Sequence, residues 1–425
     1  MDYQKFISAK SQQRNPSPIR ALGKYMFEEG MISLGAGHPN PSTFPYAGMV
    51  LKLKNGEEIE VDSALFQRSL SYDLTSGLPQ LNSWLRQLQT LEHNPPVDFT
   101  LSIGSGSQDI LSKALEMFIE PGAALLVEDP TYAGILNFLK SQPCDLVGIA
   151  TDAHGLIPEA LEKILKNWPE SNPTGKKDQP RPQVLYTIPC GGNPTGASAT
   201  FERKQKIYEI CRTYDILIVE DDPYYYLQFA SPRIASYLSI DVDGRVLRFD
   251  SMSKILSSGV RLGWVTGPAA LVERIDLHTM STNLQPAGVS QVMAYELLNK
   301  WGHEGFFEHI RQVSNFYREK LEEFRKYLDK RMTGYAEWSI PECGMFVWLK
   351  LLGGVTDSFE LIMNQALKKK VIAVPGMVFL PAGEKTPYIR LSFSNVSPEN
   401  MNEALRRLAE VVQEEADRNG VAIQS

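Results

Sequence analysis

From about residue 98 the chain alternates short apolar runs with longer stretches whose apolar residues recur every three to four positions. The short runs are "FTLSI" (99–103), "ALLVE" (124–128), "DLVGIA" (145–150), "QVLYT" (183–187), "ILIVE" (216–220), "RVLRF" (245–249) and "LGWVT" (262–266). Several are almost continuously apolar, the pattern of strands covered on both faces. Between them, Ile110, Leu111, Ala114, Leu115 and Phe118 fall on one face of "SQDILSKALEMF". Ile207, Tyr208, Cys211 and Tyr214 do the same in "FERKQKIYEICRTY". Strands and helices in alternation predict an α/β fold: a mostly parallel seven-stranded sheet in an α/β/α sandwich.

After about residue 300 the rhythm changes. A long helical pattern, "GFFEHIRQVSNFYREKLEEFRKYLDKR", leads into "AEWSIP", "GMFVWLKL", a helix around 358–370, "VIAVP", "YIRLSF" and a closing helix. The last helix has Ser397 as N-cap and Pro398 at its first position. This part reads as a smaller α+β domain. The expected division is an N-terminal segment 1–45, a large domain 46–310 and a small domain 311–425.

Composition narrows the function classes. The chain has 425 residues and a formal net charge of −7, with acids and bases interleaved. No basic face or tail marks a nucleic-acid partner. No apolar run reaches the roughly 18 residues that a membrane-spanning helix needs. Cys144, Cys190, Cys211 and Cys343 are widely separated and form no CxxC pair, so neither a zinc site nor a disulfide framework is expected. That usage suits a reducing compartment, the cytoplasm first. A basic, serine-containing N-terminus with Asp2 as its only acid keeps the mitochondrial matrix open.

The tetrapeptide Asn-Pro-Thr-Gly occurs twice, at Asn172–Gly175 and Asn193–Gly196. Its composition is that of a turn. What separates the copies is what precedes them: a Pro- and Lys-rich insertion for the first, the apolar run "VLYT" for the second. In open α/β sheets ligands collect at the carboxyl ends of strands, so the residues that follow each run matter. After 99–103 stands "GSGSQ", Gly104–Gln108, opening a helix whose free N–H groups suit a phosphate. After 124–128 comes Tyr132, after 183–187 Asn193, and after 216–220 Asp221 with Tyr224. After 245–249 come Ser251, Ser253, Lys254 and Arg261.

Each of these has a plain structural explanation alone: a Gly-Ser turn, a packed aromatic, a solvated basic loop. Together they match one ligand, a phosphorylated, protonated aromatic heterocycle bearing an aldehyde, which is pyridoxal 5′-phosphate. Its phosphate takes helix-start amides, hydroxyls and an Arg. Its ring nitrogen takes a carboxylate, its phenolic oxygen takes donors, and its aldehyde bonds a Lys amine.

At this point the chain resembles the fold-type-I pyridoxal-phosphate-dependent aminotransferases, and within them the kynurenine/2-aminoadipate aminotransferase II group. The resemblance runs from "RNPSPIR" to the last helix. It is carried by "SLGAGHPNP", "YDLTSGLPQL", "GSGSQ", "EDPTYAG", "GGNPTG", "EDDPYYYLQF", "SMSKILSSGVRLGW", "GMFVWLK" and "PYIRLSFS". It implies that Lys254 bonds the cofactor and moves the substrate proton, that Asp221 pairs with the ring nitrogen, and that Tyr132 stacks on the ring. Asn193 and Tyr224 would hold the phenolic oxygen. Gly106, Ser107, Gln108, Ser251, Ser253 and Arg261 would hold the phosphate, with Tyr72 reaching the phosphate region of a neighbouring subunit in a homodimer. Arg390, together with Asn193, would clamp the substrate α-carboxylate, and Arg20 and Gly37 would lie in the segment over its side chain. His38 stands where these relatives usually have an apolar residue; it is either a tolerated loop change or a selectivity determinant. The other histidines have no ligand-like spacing, and no metal is expected.

The activity so implied is transfer of an amino group from a 2-amino acid (kynurenine, 2-aminoadipate, aromatic or large apolar) to a 2-oxo acid such as 2-oxoglutarate. One alternative is a pyridoxal-phosphate β-lyase acting on cysteine conjugates, which pyruvate release would reveal. Another is a regulator using an aminotransferase-like sensor, which needs an added DNA-binding domain; only about thirty residues precede "SLGAGHPNP".

Overall fold

The structure is a computed structural model that describes residues 1–423 apart from 19–24, 26, 27, 33 and 36. The chain forms two compact units. Met1–Pro121 with Ser236–His309 make the first, and Gly122–Ala235 with Ile310–Ser425 the second.

In the first unit, strand Gly263–Gly267 runs antiparallel to Thr100–Gly104 on one side and to Val246–Ser251 on the other, pairing Trp264 with Ile103 and with Asp250. Helix Ser107–Phe118 buries the apolar face expected from its sequence, and Pro79–His93 buries Leu81, Trp84, Leu85 and Leu88. Beneath them lies a fully buried ion pair, Arg248 Nη2 to Asp250 Oδ1 at 2.7 Å. Gln89 adds a hydrogen bond to Asp250 Oδ2 at 2.9 Å, so the desolvated charges are matched by geometry. The N-terminal segment is tied down here as well. Ser8 N–H donates to the Met117 carbonyl (2.9 Å), and Ser11 Oγ meets His278 Nε2 at 2.8 Å.

In the second unit, strands Leu217–Asp221, Val184–Thr187, Ala123–Asp129 and Cys144–Asp152 are parallel neighbours in that order. Helices Pro158–Lys166 and Phe201–Thr213 flank them in sequence, the latter capped by Thr200. A separate four-stranded antiparallel sheet takes Ala336–Trp338, Phe346–Leu351, Tyr388–Ser392 and Val374–Pro375 in that order. The closing helix Pro398–Asn419 begins as read, with Ser397 Oγ accepting from Asn400 N–H.

All seven expected strands are present, and the parallel strands of the second unit carry one more. The eighth is the two-residue Gly155–Leu156, which folds back antiparallel on the end of Cys144–Asp152; two residues carry too little pattern to announce a strand. Two helices also differ from expectation. Helix Gly288–Met332 starts well before the long pattern and is broken at Gly302, whose φ of 62° is left-handed. The helix expected at 358–370 is α-helical only through Leu361 and then widens to a π turn, Ile362–Ala366, closed by Leu367 N–H to the Ile362 carbonyl. No helix among the described residues is long and apolar enough to cross a membrane, and the four cysteines form no disulfide.

Candidate active site

The second unit gathers one set of the expected residues at the carboxyl ends of its parallel strands. Asp221, the last residue of Leu217–Asp221, is 4 % exposed. Its Oδ2 accepts a hydrogen bond from the Tyr186 hydroxyl at 2.7 Å. The register explains this contact. Tyr186 is level with Val219 and Thr187 with Glu220, so Tyr186 shares a face with Asp221 and reaches one pleat along. Glu128, next to the Val127 that pairs with Tyr186, accepts from Thr187 Oγ1 (2.5 Å) and Ile188 N–H (3.1 Å). Burial pushes the Glu128 carboxyl up to about 7.

Tyr132 stands just before helix Ala133–Leu139. Tyr224 is buried, its ring edge-on to Phe346 at 5.7 Å. Burial, then the nearby Asp221 and Tyr132, raises the Tyr224 phenol, and Arg390 opposes that rise. Arg390 sits on strand Tyr388–Ser392, opposite Trp348. Its Nη1 donates to Asn193 Oδ1 at 2.9 Å, and its guanidinium lies 4.4 Å from the Phe346 ring centre and 5.1 Å from that of Phe379. Arg390 Nε is buried without a hydrogen bond. A guanidinium flanked by two aromatic rings, with a donor to spare, is a fork suited to a carboxylate. Burial lowers its affinity for its proton somewhat.

The first unit gathers the other set. Gly106 precedes helix Ser107–Phe118 with φ of 93° and no side-chain cap. A Cβ there would collide with the Arg261 guanidinium, and one at Gly263 with the Ser107 amide. The glycines therefore leave the start of this helix, at Ser107 and Gln108, without a side-chain cap and beside an Arg. Gln108 Oε1 is buried and unbonded. Ser251 ends its strand and accepts from Ser253 N–H, capping the single 3₁₀ turn Met252–Lys254. Arg261 Nη1 donates to Ser253 Oγ and to the Ser258 carbonyl, both at 3.2 Å, from a left-handed backbone at φ 53°. Helix-start amides, hydroxyls and a guanidinium together fit a phosphate. Tyr72 is half exposed, with His38 edge-on to its ring at 5.6 Å. Gly37 is exposed with open space around its Cα, and Arg20 lies outside the described residues.

The chain as a whole has relatives among known proteins. The sequence profile described as "Aminotransferase class I and II" matches residues 31–408. The chain belongs to the class I and II aminotransferases. This aminotransferase is thus an enzyme, a transferase whose cofactor is pyridoxal 5′-phosphate. It is 42 % identical over 426 residues to the kynurenine/alpha-aminoadipate aminotransferase, mitochondrial, of Bos taurus, covering 97 % of this chain and 100 % of that one. Aminotransferase Aro8 from Candida albicans superposes with a TM-score of 0.87 at 27 % identity, covering 98 % of this chain and 99 % of that one. The kynurenine aminotransferase of Pyrococcus horikoshii, solved in complex with PMP, KYN as substrates and KYA as products, gives 0.75 at 30 %, covering 97 % and 98 %.

Two residues of this aminotransferase were not found in the sequence. Tyr186 and Glu128 lie inside strands, where apolar runs hide single polar residues. Only strand alternation, Tyr186 in phase with Asp221 once the neighbours are known, could have singled out Tyr186. The remaining histidines are structural where contacts are seen: His93 meets Ser236 Oγ, His303 stacks on Trp84, and His309 donates to the Ile255 carbonyl. Among the described residues no group of His, Cys, Asp and Glu is arranged for a metal.

Proposed function

We propose that this aminotransferase takes kynurenine, 2-aminoadipate and aromatic 2-amino acids as donors and a 2-oxo acid such as 2-oxoglutarate as acceptor. The observation that carries this reading is Arg390, held by Asn193 and two aromatic rings with Nε still unbonded. A 2-amino acid and a 2-oxo acid share the α-carboxylate that such a fork recognises, so one clamp serves both half-reactions. The relatives named for kynurenine and alpha-aminoadipate support the donor class.

When bound, pyridoxal 5′-phosphate supplies an electron sink for the pair left at the substrate Cα. The chain's own residues do the rest. Lys254 would take the proton from the substrate Cα and would return it at C4′ of the bound cofactor. Asp221 holds a proton on the ring nitrogen, while Asn193 and Tyr224 hold the phenolic oxygen and Tyr132 covers the ring. Gly106, Ser107, Gln108, Ser251, Ser253 and Arg261 bind the phosphate. Arg390 and Asn193 fix the α-carboxylate, which orients the Cα–H bond for Lys254. Arg20, Gly37 and His38 lie in the segment assigned to side-chain selection.

The same reading includes a homodimer in which Tyr72 reaches the partner's phosphate region, and the divisions 1–45, 46–310 and 311–425 as arm, large and small domain. The mammalian relatives carrying "mitochondrial" in their names favour the matrix over the cytoplasm. Lys254→Ala should abolish the visible absorbance of the lysine-bound cofactor and lower turnover by at least about a thousandfold. A Lys254→Ala protein that still transaminates would overturn the assignment. A donor panel read against 2-oxoglutarate would rank the substrates.

A further inference from the structure

We propose that Tyr186 is a positioning residue for the transamination: its hydroxyl fixes the plane and the presented oxygen of the Asp221 carboxylate. This rests on the proposed role of Asp221 at the cofactor's ring nitrogen. Tyr186 is fully buried, and its hydroxyl donates to Asp221 Oδ2 at 2.7 Å. Its own place is fixed from both sides of the strand, by pairing with Val127 and with Val219. A buried ring on a strand paired on both sides is less free to turn than a carboxylate at a strand end.

Asp221 ends its strand, and its carboxylate plane is set by a terminal torsion with a broad energy profile. A short hydrogen bond from a buried ring narrows that profile. Burial, together with the Asp221 carboxylate, pushes the Tyr186 phenol well above its ordinary range, so Tyr186 stays a donor throughout the working pH range. It touches neither substrate nor the reacting atoms and acts only through Asp221.

The test is Tyr186→Phe, which keeps the ring and removes the donor. Cofactor affinity of the apoenzyme, measured by fluorescence quenching with pyridoxal 5′-phosphate, should weaken on the order of tenfold. The pH midpoint of the bound cofactor's visible band should move. Turnover should fall by a similar factor, while KM for the amino acid stays within about twofold because the Arg390 clamp is untouched. Wild-type affinity, band midpoint and turnover in Tyr186→Phe would overturn the proposal, even if thermal stability dropped, since that would leave Tyr186 a packing residue only. If Tyr186→Phe fails to fold, fluorotyrosine at position 186 keeps the shape and strengthens the donor; an unmoved band midpoint then overturns the proposal equally. Failure of the cofactor assignment would look different, with the wild-type chain taking up no pyridoxal 5′-phosphate.

Discussion

The two Asn-Pro-Thr-Gly segments lie in the same unit of the molecule and share four letters, yet their asparagines are spent on different things. Asn172 is satisfied within its own loop. Its Oδ1 accepts from Thr174 N–H, and its Nδ2 donates to the Lys176 carbonyl and to Gln179 Oε1. Asn193 instead accepts from Arg390, 197 residues further along the chain. The glycines repeat the contrast. Gly175 and Gly196 both have positive φ, at 74° and 69°. Around Gly175 there is open space, whereas a Cβ on Gly196 would lie 2.5 Å from the Phe346 carbonyl oxygen and 2.9 Å from Pro341. A loop supplies its own partners; a strand end is aimed at distant ones.

Exchanging the asparagines should separate the copies most sharply. Asn193→Ala should lower kcat/KM by about a hundredfold, about 3 kcal/mol at the transition state, and perturb the cofactor spectrum. Asn172→Ala should leave spectrum and turnover alone and cost about 1–3 kcal/mol of stability, readable by denaturant unfolding. Equal losses of activity in both variants would erase the distinction.

The glycines give a smaller separation. Gly175→Ala carries only the left-handed backbone penalty, about 1–2 kcal/mol. Gly196→Ala adds a collision with the strand of Phe346, on whose ring Arg390 rests, for a total of about 3 kcal/mol or more. Its KM for the amino acid should also rise, which kinetics on the two variants side by side will show.

The last contrast concerns pH, and its sign is opposite in the two neighbourhoods. Glu128, bonded to the strand that feeds the second copy, titrates near 7 in the folded chain against an ordinary 4.5. The folded state therefore holds a proton that the unfolded state has lost, and stability falls as pH rises from about 4.5 to about 7. Glu128→Gln should flatten that slope. Asp145 lies beside the first copy; bonds from Lys176 and Gln179 help hold its carboxyl below the ordinary 3.8, against a smaller opposing effect of burial. Its contribution is present above the unfolded pKa and is lost as pH falls through the folded one. Asp145→Asn should remove part of the acid-side loss only. Unfolding curves between pH 3 and pH 8 on the order of one unit apart would resolve both.

Much of this was open to reading in the chain itself. The apolar runs at 99–103, 216–220 and 245–249 became strands within two residues of their expected ends, because a run covered on both faces has no other stable place. The residues after them, Gly106, Asp221, Ser253 and Lys254, stand at strand ends for the same reason. Gly155–Leu156 and the π turn at Ile362–Ala366 could not be read, since each depends on closing hydrogen bonds rather than on apolar period.

The sequence by itself determined which residues end strands and begin helices, since hydrophobic period and turn chemistry act over a few neighbouring positions. Together with the motif resemblance, that was enough to name the family and the cofactor. Tertiary structure alone decided which side chains meet: Arg390 with Asn193, Tyr186 with Asp221, Gly196 with Phe346. Those contacts depend on strand order and register, which are set by packing across the whole unit and leave no mark on the letters between them.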